Sequence, residues 1–282
     1  MTIRLLTQSD AEHLEAFLVQ HRDSSMFLRS NARRAGLEYA GEPFQALYVA
    51  AFHHGEIVAV VAHGVSGMLF MQAPEQVDEL ARTCVAASAR KVTGFSGPLE
   101  QVRRARTALG LAEAPAQIDF DDRLYALDLS QLVVPAALTS QAVVCRAPEP
   151  QERELLVAWR HAYDIEVLGG ADTEAQRNRA AFFLDRQIAD RNAWVALALG
   201  VPVSLSAFNA SLPDIVQLGG IYTPPALRGQ GYAKCAVAAS LLVARERGAS
   251  RAVLFTQNPS AARSYEAVGF RALGDYGLVL LR

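Results

Sequence analysis

Cysteine is scarce in this 282-residue chain: there are three, Cys84, Cys145 and Cys235, far apart and odd in number. No Cys-x-x-Cys spacing occurs, so neither a zinc knot nor a disulfide framework is expected. Such usage fits a reducing, cytoplasmic compartment. Charge of either sign is not in excess, with 27 Lys plus Arg against 29 Asp plus Glu. A general nucleic-acid surface needs a strong cationic surplus, so nucleic acid is not an expected partner. The same balance offers nothing to an anionic membrane. Long apolar runs are missing as well. The opening Met-Thr-Ile-Arg-Leu-Leu-Thr has no basic region followed by an apolar stretch, and no signal peptide is read from it. The most apolar span, Ala46 to Val65, is broken by His53, His54, Gly55, Glu56 and His63. It reads as two strands with a turn at His54-Gly55, not as a membrane helix. The three histidines fit a hairpin turn and one strand face, so no metal site is expected.

Hydrophobic residues make up 51% of the chain, ample for a buried core. Chains beyond roughly 250 residues usually divide into domains. In the first half, strands are expected at Ile3–Leu6, Leu47–Phe52, Ile57–His63, Met68–Gln72, Val92–Phe95 and Tyr125–Leu129. Helices are expected at Ala11–His21, capped by Ser9-Asp10, at Glu75–Ala89 and at Leu99–Leu109. The stretch Ser130 to Pro150, with Pro135, Pro148 and Pro150, reads as a junction. The expected domains are 1–140 and 141–282.

The second half starts afresh with helices over Gln151–Leu168 and Thr173–Asp190. Strands follow at Trp194–Leu199 and Val203–Asn209, with a turn at Gly200-Val201-Pro202, and at Ile215–Tyr222. A helix Tyr232–Arg247, a strand Val253–Thr256, a short helix from Asn258-Pro259 and a last strand Leu278–Leu281 complete it. Alternating strands and helices predict an α/β fold with a mixed sheet. Both halves share a coarse order of elements, which is compatible with two related domains in tandem.

The stretch from Gly220 to Ala233 carries the chemistry. It reads as a strand, a proline break at Pro224-Pro225, the loop Arg228-Gly229-Gln230-Gly231 and the start of a helix. Glycines let the backbone turn its N–H groups inward, and a helix start adds unpaired donors and a positive dipole end. Arg228 can add a positive fork. That combination suits a pyrophosphate. The Gly-Lys-Ser/Thr ending of a P-loop is absent, and so is the full G-x-G-x-x-G of a dinucleotide fold.

Arg228-x-x-Gly231-x-Ala233 resembles the Arg/Gln-x-x-Gly-x-Gly/Ala signature of the GNAT superfamily of N-acetyltransferases. The run from Asn258 through Tyr265 to Gly269-Phe270 is similar to a later motif of the same family. The resemblance covers about Val143 to Arg282. It implies the GNAT acyl-CoA N-acyltransferase fold, with a V-shaped opening in the sheet for the cofactor. By analogy with two-domain members, the first half would be a degenerate GNAT-like domain without a cofactor loop.

The implied activity is acetyl transfer from acetyl-CoA to a primary amine of a small-molecule or peptide acceptor, by direct attack in a ternary complex. In this reading Ile221, Tyr222 and Thr223 offer backbone to the pantetheine arm. Arg228 and the amides of Gly229, Gln230, Gly231, Tyr232 and Ala233 hold the pyrophosphate. Asn258 caps the helix at Pro259, touches the pantetheine, or does both. Ser264 and Tyr265 complete the cofactor set. Tyr265 either protonates the departing thiolate or packs against Phe270. Cys235, in the first helical turn, is either a small core residue or a nucleophile for an acyl-enzyme route. No general base is assigned: Gln217 cannot accept a proton usefully, Asp214 is expected in a turn, and Asp164 and Glu166 are expected at a solvated helix end. The acceptor is expected along Tyr163 to Leu168 and part of the first half. Two alternatives are a CoA-binding sensor or scaffold without turnover, and a transferase for a longer acyl group.

Overall fold

The computed structural model describes residues 1–282. The chain forms two compact units, one of Met1–Leu124 with Gly274–Arg282 and one of Tyr125–Leu273. In chain order the first carries β1 (Thr2–Leu5), α1 (Ala11–Gln20), α2 (Met26–Ala35), β2 (Ala46–His53), β3 (Glu56–Gly64), β4 (Met68–Gln72), α3 (Val77–Ser88), β5 (Gly94–Pro98), α4 (Leu99–Ala108) and most of β6 (Ala116–Asp128). The second carries α5 (Ala136–Thr139), β7 (Val143–Arg146), α6 (Arg153–Leu168), α7 (Glu174–Ala189), β8 (Ala193–Ala198), β9 (Val201–Ser211) and β10 (Ile215–Tyr222). It continues with α8 (Tyr232–Glu246), β11 (Arg251–Thr256), α9 (Pro259–Glu266) and the start of β12 (Arg271–Leu281). No helix is long and apolar enough to cross a membrane. The division differs from halves meeting at residue 140. Leu129 packs with the α8 side of the second unit, and the end of β12 pairs with β5 in the first.

Within the second unit the strands run in the order β6-β11-β10-β9-β8-β7. Successive side chains of a strand point to opposite faces, and β8 displays this directly. Val195 and Leu197 pack with Leu156, Val157, Trp159 and Leu184 of α6 and α7. Trp194 and Ala196 face the other way, toward α8. Helix α8 is rich in alanine and buries seven residues, among them Val237 and Leu241. Small side chains let it lie close against the sheet, and each fully buried Leu or Val contributes roughly 1.5–3 kcal/mol. The first unit repeats the plan. Tyr48, Ala50 and Val60 pack with α1 and α2, while Val49, Ala51 and Val61 face α3 and α4. A strand, two helices, three antiparallel strands, a helix, a parallel strand and a helix occur in both, in that order.

Several elements depart from expectation for identifiable reasons. Helix α2 is absent from the sequence reading because half of Met-Phe-Leu-Arg-Ser-Asn-Ala-Arg-Arg-Ala is polar, three of the ten being arginine; buried Arg29 joins Glu15 of α1 at 2.7 Å. Strand β6 begins nine residues before Tyr125. The added part is rich in acids, and these are held across to α4: Arg106 binds Asp119 at 2.7 Å and Arg103 binds Asp121 at 2.6 Å. The β8–β9 turn is Leu199-Gly200, and Pro202 lies inside β9 opposite Leu197. Proline is tolerated there because the β10 ladder on β9 starts only at Leu205. Asp10 does not cap α1 with its side chain; it pairs with Arg4 instead.

Candidate active site

Strand β10 lies between β9 and β11; its ladder with β9 shifts register and its ladder with β11 is short. The parallel ladder with β11 covers Ile215–Gln217 against Arg251–Val253 and ends there. Strand β10 continues five residues further, to Tyr222, and β11 three further, to Thr256. Against β9, the register shifts between Gly219 and Tyr222, so that Gly220 and Ile221 together oppose Ser206. Such a bulge places peptide groups outside the ladder, a common device beside active sites. Gly220 takes φ +68°, in the left-handed region. Tyr222 turns its side chain into the core, while Ser204 Oγ lies 2.8 Å from Thr223 Oγ1 and fixes the end of the strand.

The loop that follows has the shape of an anion cradle. Gly229 and Gly231 both adopt positive φ, at +78° and +80°. Gly231 is the N-cap of α8, so no side chain caps the first amides, and the first turn holds no acid. Uncapped N–H groups and the dipole favour a negative ligand. Arg228 is positioned from two sides, donating from Nε to the Thr223 carbonyl at 2.9 Å and from Nη2 to Glu166 at 2.7 Å. Glu166 is thus an exposed helix-end residue as expected, but it meets the loop. Lys234 was not anticipated. Its stem folds over Gly231, with Cε 2.8 Å from where a Cβ would sit. A cation in the first turn of a helix opposes the dipole, and that mismatch was the available signal. The Tyr232 hydroxyl donates to Gln230 at 3.0 Å and ties down the exposed face.

Across the end of β11, Asn258 caps α9, its Oδ1 accepting from Ser260 and Ala261 N–H at 2.9 and 3.2 Å. The residue is otherwise exposed. Ser264 bonds back to the Ser260 carbonyl at 3.3 Å. Tyr265 is buried, its ring 6.1 Å from Phe270, so the packing role holds. Burial, with Tyr163 nearby, raises its phenol well above the usual value. It therefore stays an O–H donor across the working pH range. Cys235 is buried in the core, and burial pushes its thiol up despite the helix start and Lys234. This is the inert cysteine, since a nucleophile needs a lowered value.

Asp164 departs from expectation. It is only 5% exposed, one turn after Arg160, whose Nε donates to Asp164 Oδ1 at 3.1 Å. The first unit offers no counterpart to the loop. Its segment Ala73-Pro74-Glu75-Gln76 lacks glycine, and α3 opens with Asp78 and Glu79. Gly97 backs onto Met71 beyond the β4–β5 ladder. No group of three His, Cys, Asp or Glu is placed to hold a metal ion.

Solved structures share this fold over the whole chain. A GCN5-related N-acetyltransferase from Sphaerobacter thermophilus superposes with a TM-score of 0.59 at 15% identity, covering 99% of this chain and 94% of its own. A GNAT-family acetyltransferase from Colwellia psychrerythraea gives 0.53 at 14% identity, with 100% of both chains covered. A Drosophila protein gives 0.67 at 12% identity, over 99% and 98%. The fold is that of the GNAT acetyltransferases. Residues 156–270 match the model of the acetyltransferase (GNAT) family. An acetyltransferase of Agrobacterium fabrum is 42% identical over 57 residues, which span 20% of this chain and 42% of that relative.

Proposed function

We propose that the protein transfers an acetyl group from acetyl-CoA to a primary amine by direct attack in a ternary complex. The observation that carries this is the uncapped start of α8. It places two positive-φ glycines, Arg228 and Lys234 around amides that have no protein partner, beside a strand whose ladder with β11 has ended. These residues fit a pyrophosphate. Arg228, Lys234 and the amides from Gly229 to Ala233 would hold it, with Ile221, Tyr222 and Thr223 offering backbone to the pantetheine arm and the Asn258 NH2 donating to it. Ser264 borders the same arm. Acetyl-CoA supplies an activated thioester. The chain's part is to orient and to exclude water, which accounts for much of the rate in such transfers. Tyr265 keeps its proton and donates a hydrogen bond where negative charge develops on the departing sulfur.

Calorimetric titration with acetyl-CoA tests this reading. Wild-type protein should bind with micromolar affinity, and an Arg228→Ala, Gly231→Trp double variant should not. Intact protein that fails to bind would reduce the loop to a structural turn, and the enzymatic reading would fall.

A further inference from the structure

Helix α6 holds a buried cation that the cofactor does not explain. Arg160 is 8% exposed, and its Nη1 is fully buried without a hydrogen-bond partner. Its Nε is engaged by Asp164. The guanidinium carbon lies over two rings, 5.5 Å from the Tyr163 centroid and 5.7 Å from that of Phe183. The bulge of β10 lies against it: a Cβ on Gly220 would stand 2.8 Å from Nη1. Only a glycine lets the guanidinium touch the strand at this level. Tyr163 is also the neighbour that acts on the Tyr265 phenol. Tyr163 packs against the cluster that holds Tyr222 of β10, and Tyr265 lies in the cluster that holds Leu218 of the same strand.

Stability does not account for such an arrangement. Well-packed apolar residues in place of a buried ion pair are often as stable or more so. An N–H left without a partner adds a further cost, larger when the group is charged. A ligand oxygen would recover that cost. The guanidinium fork matches a carboxylate, and the ring-held plane fixes its approach. Asp164 balances the charge of Arg160, so the site favours a ligand that is itself charge-balanced. A zwitterion, with a carboxylate for Arg160 and an amino group near Asp164, meets both.

We propose that Arg160 is the acceptor-recognition residue and that the acceptor is an amino acid, or another amine with a carboxylate close to its amino group. The proposal rests on the acetyl-transfer reading above and adds the substrate class.

The test is CoA release measured with purified full-length protein, acetyl-CoA and a panel of the L-amino acids, each paired with its carboxamide and its decarboxylated amine. At least one amino acid should exceed both of its partners in kcat/KM by on the order of a hundredfold. Arg160→Lys keeps a charge against Asp164 but loses the fork. It should narrow that ratio through a rise in KM for the amino acid, with a smaller change in kcat. An Arg160→Met, Asp164→Leu double variant removes the pair together, leaving no uncompensated charge, and should erase the preference. Acetyl-CoA affinity serves as the control for folding. Equal rates within the matched sets would overturn the proposal. So would a preference that survives in the lysine variant, or acetyl-CoA binding with no amino acid acetylated. Absence of acetyl-CoA binding by the wild type is a different result, and sinks the acetyl-transfer reading itself.

Discussion

Replacing Glu166 by glutamine isolates what holds the cofactor loop. The Arg228–Glu166 contact is 2.7 Å long, and each side chain is 44% exposed. An ion pair that exposed is worth roughly 0.2–1 kcal/mol. A pyrophosphate on the amides of α8 must compete with Glu166 for the same guanidinium, and it feels the repulsion of that carboxylate as well. Removing the charge should therefore tighten acetyl-CoA binding by about 1.5- to 5-fold, the equivalent of that energy. Isothermal titration at low and at high salt measures it, and the gain should shrink as salt screens the charges. In an Arg228→Ala background the same substitution should give a smaller gain, since the competition has been removed. Global stability should change by less than ~1 kcal/mol. A clear loss of affinity in Glu166→Gln would refute this reasoning. It would mean that the carboxylate aims Arg228 at the phosphates and that its preorganising effect outweighs the competition.

Tyr265→Phe should reduce kcat on the order of 10²-fold or more while acetyl-CoA affinity is retained, as steady-state rates and calorimetry will report; unchanged turnover would return Tyr265 to a purely packing role. Hydrogen bonds from Arg4 hold the Asp10 carboxyl well below the usual carboxylate range. A group with a depressed folded pKa contributes stability that is complete above its unfolded value near 4 and is lost as pH falls further. Chemical denaturation from pH 6 down to pH 3 should show this loss, and Asp10→Asn should flatten the slope. Native Cys235 should react with iodoacetamide at pH 7.5 far more slowly than in urea, since burial raises its thiol; rapid native labelling would reopen the acyl-enzyme route.

The loop before α8 was legible because its signals are local. The Pro224-Pro225 break and the positive-φ glycines Gly229 and Gly231 lie within eight residues, and Asn258 caps the helix that it directly precedes. The pairing of Asp164 was not legible. Asp164 sits near a helix end, where a carboxylate usually meets water, and only the fold reveals that it is buried with Arg160. Glu166 and Arg228 are 62 residues apart, and nothing in either segment signals the pair. Hydrophobic pattern also failed where charges are satisfied across elements. The acids of β6 are held by arginines of α4, and Arg29 of α2 is buried against Glu15. Strand and helix periodicity assume that buried means apolar, and these elements violate that assumption by pairing.

The last nine residues, Gly274–Arg282, belong to the unit that the first 124 residues begin. Val279 pairs with Phe95 and Leu280 with Gly94, and Val279 is buried in that unit's core. On a ribosome the N-terminal unit is thus made first but completed last. Its β5 edge must wait, unpaired on that side, while the whole second unit is synthesised. An exposed edge of that kind invites wrong partners. Loss of a few of these residues would harm that unit, through aggregation during synthesis.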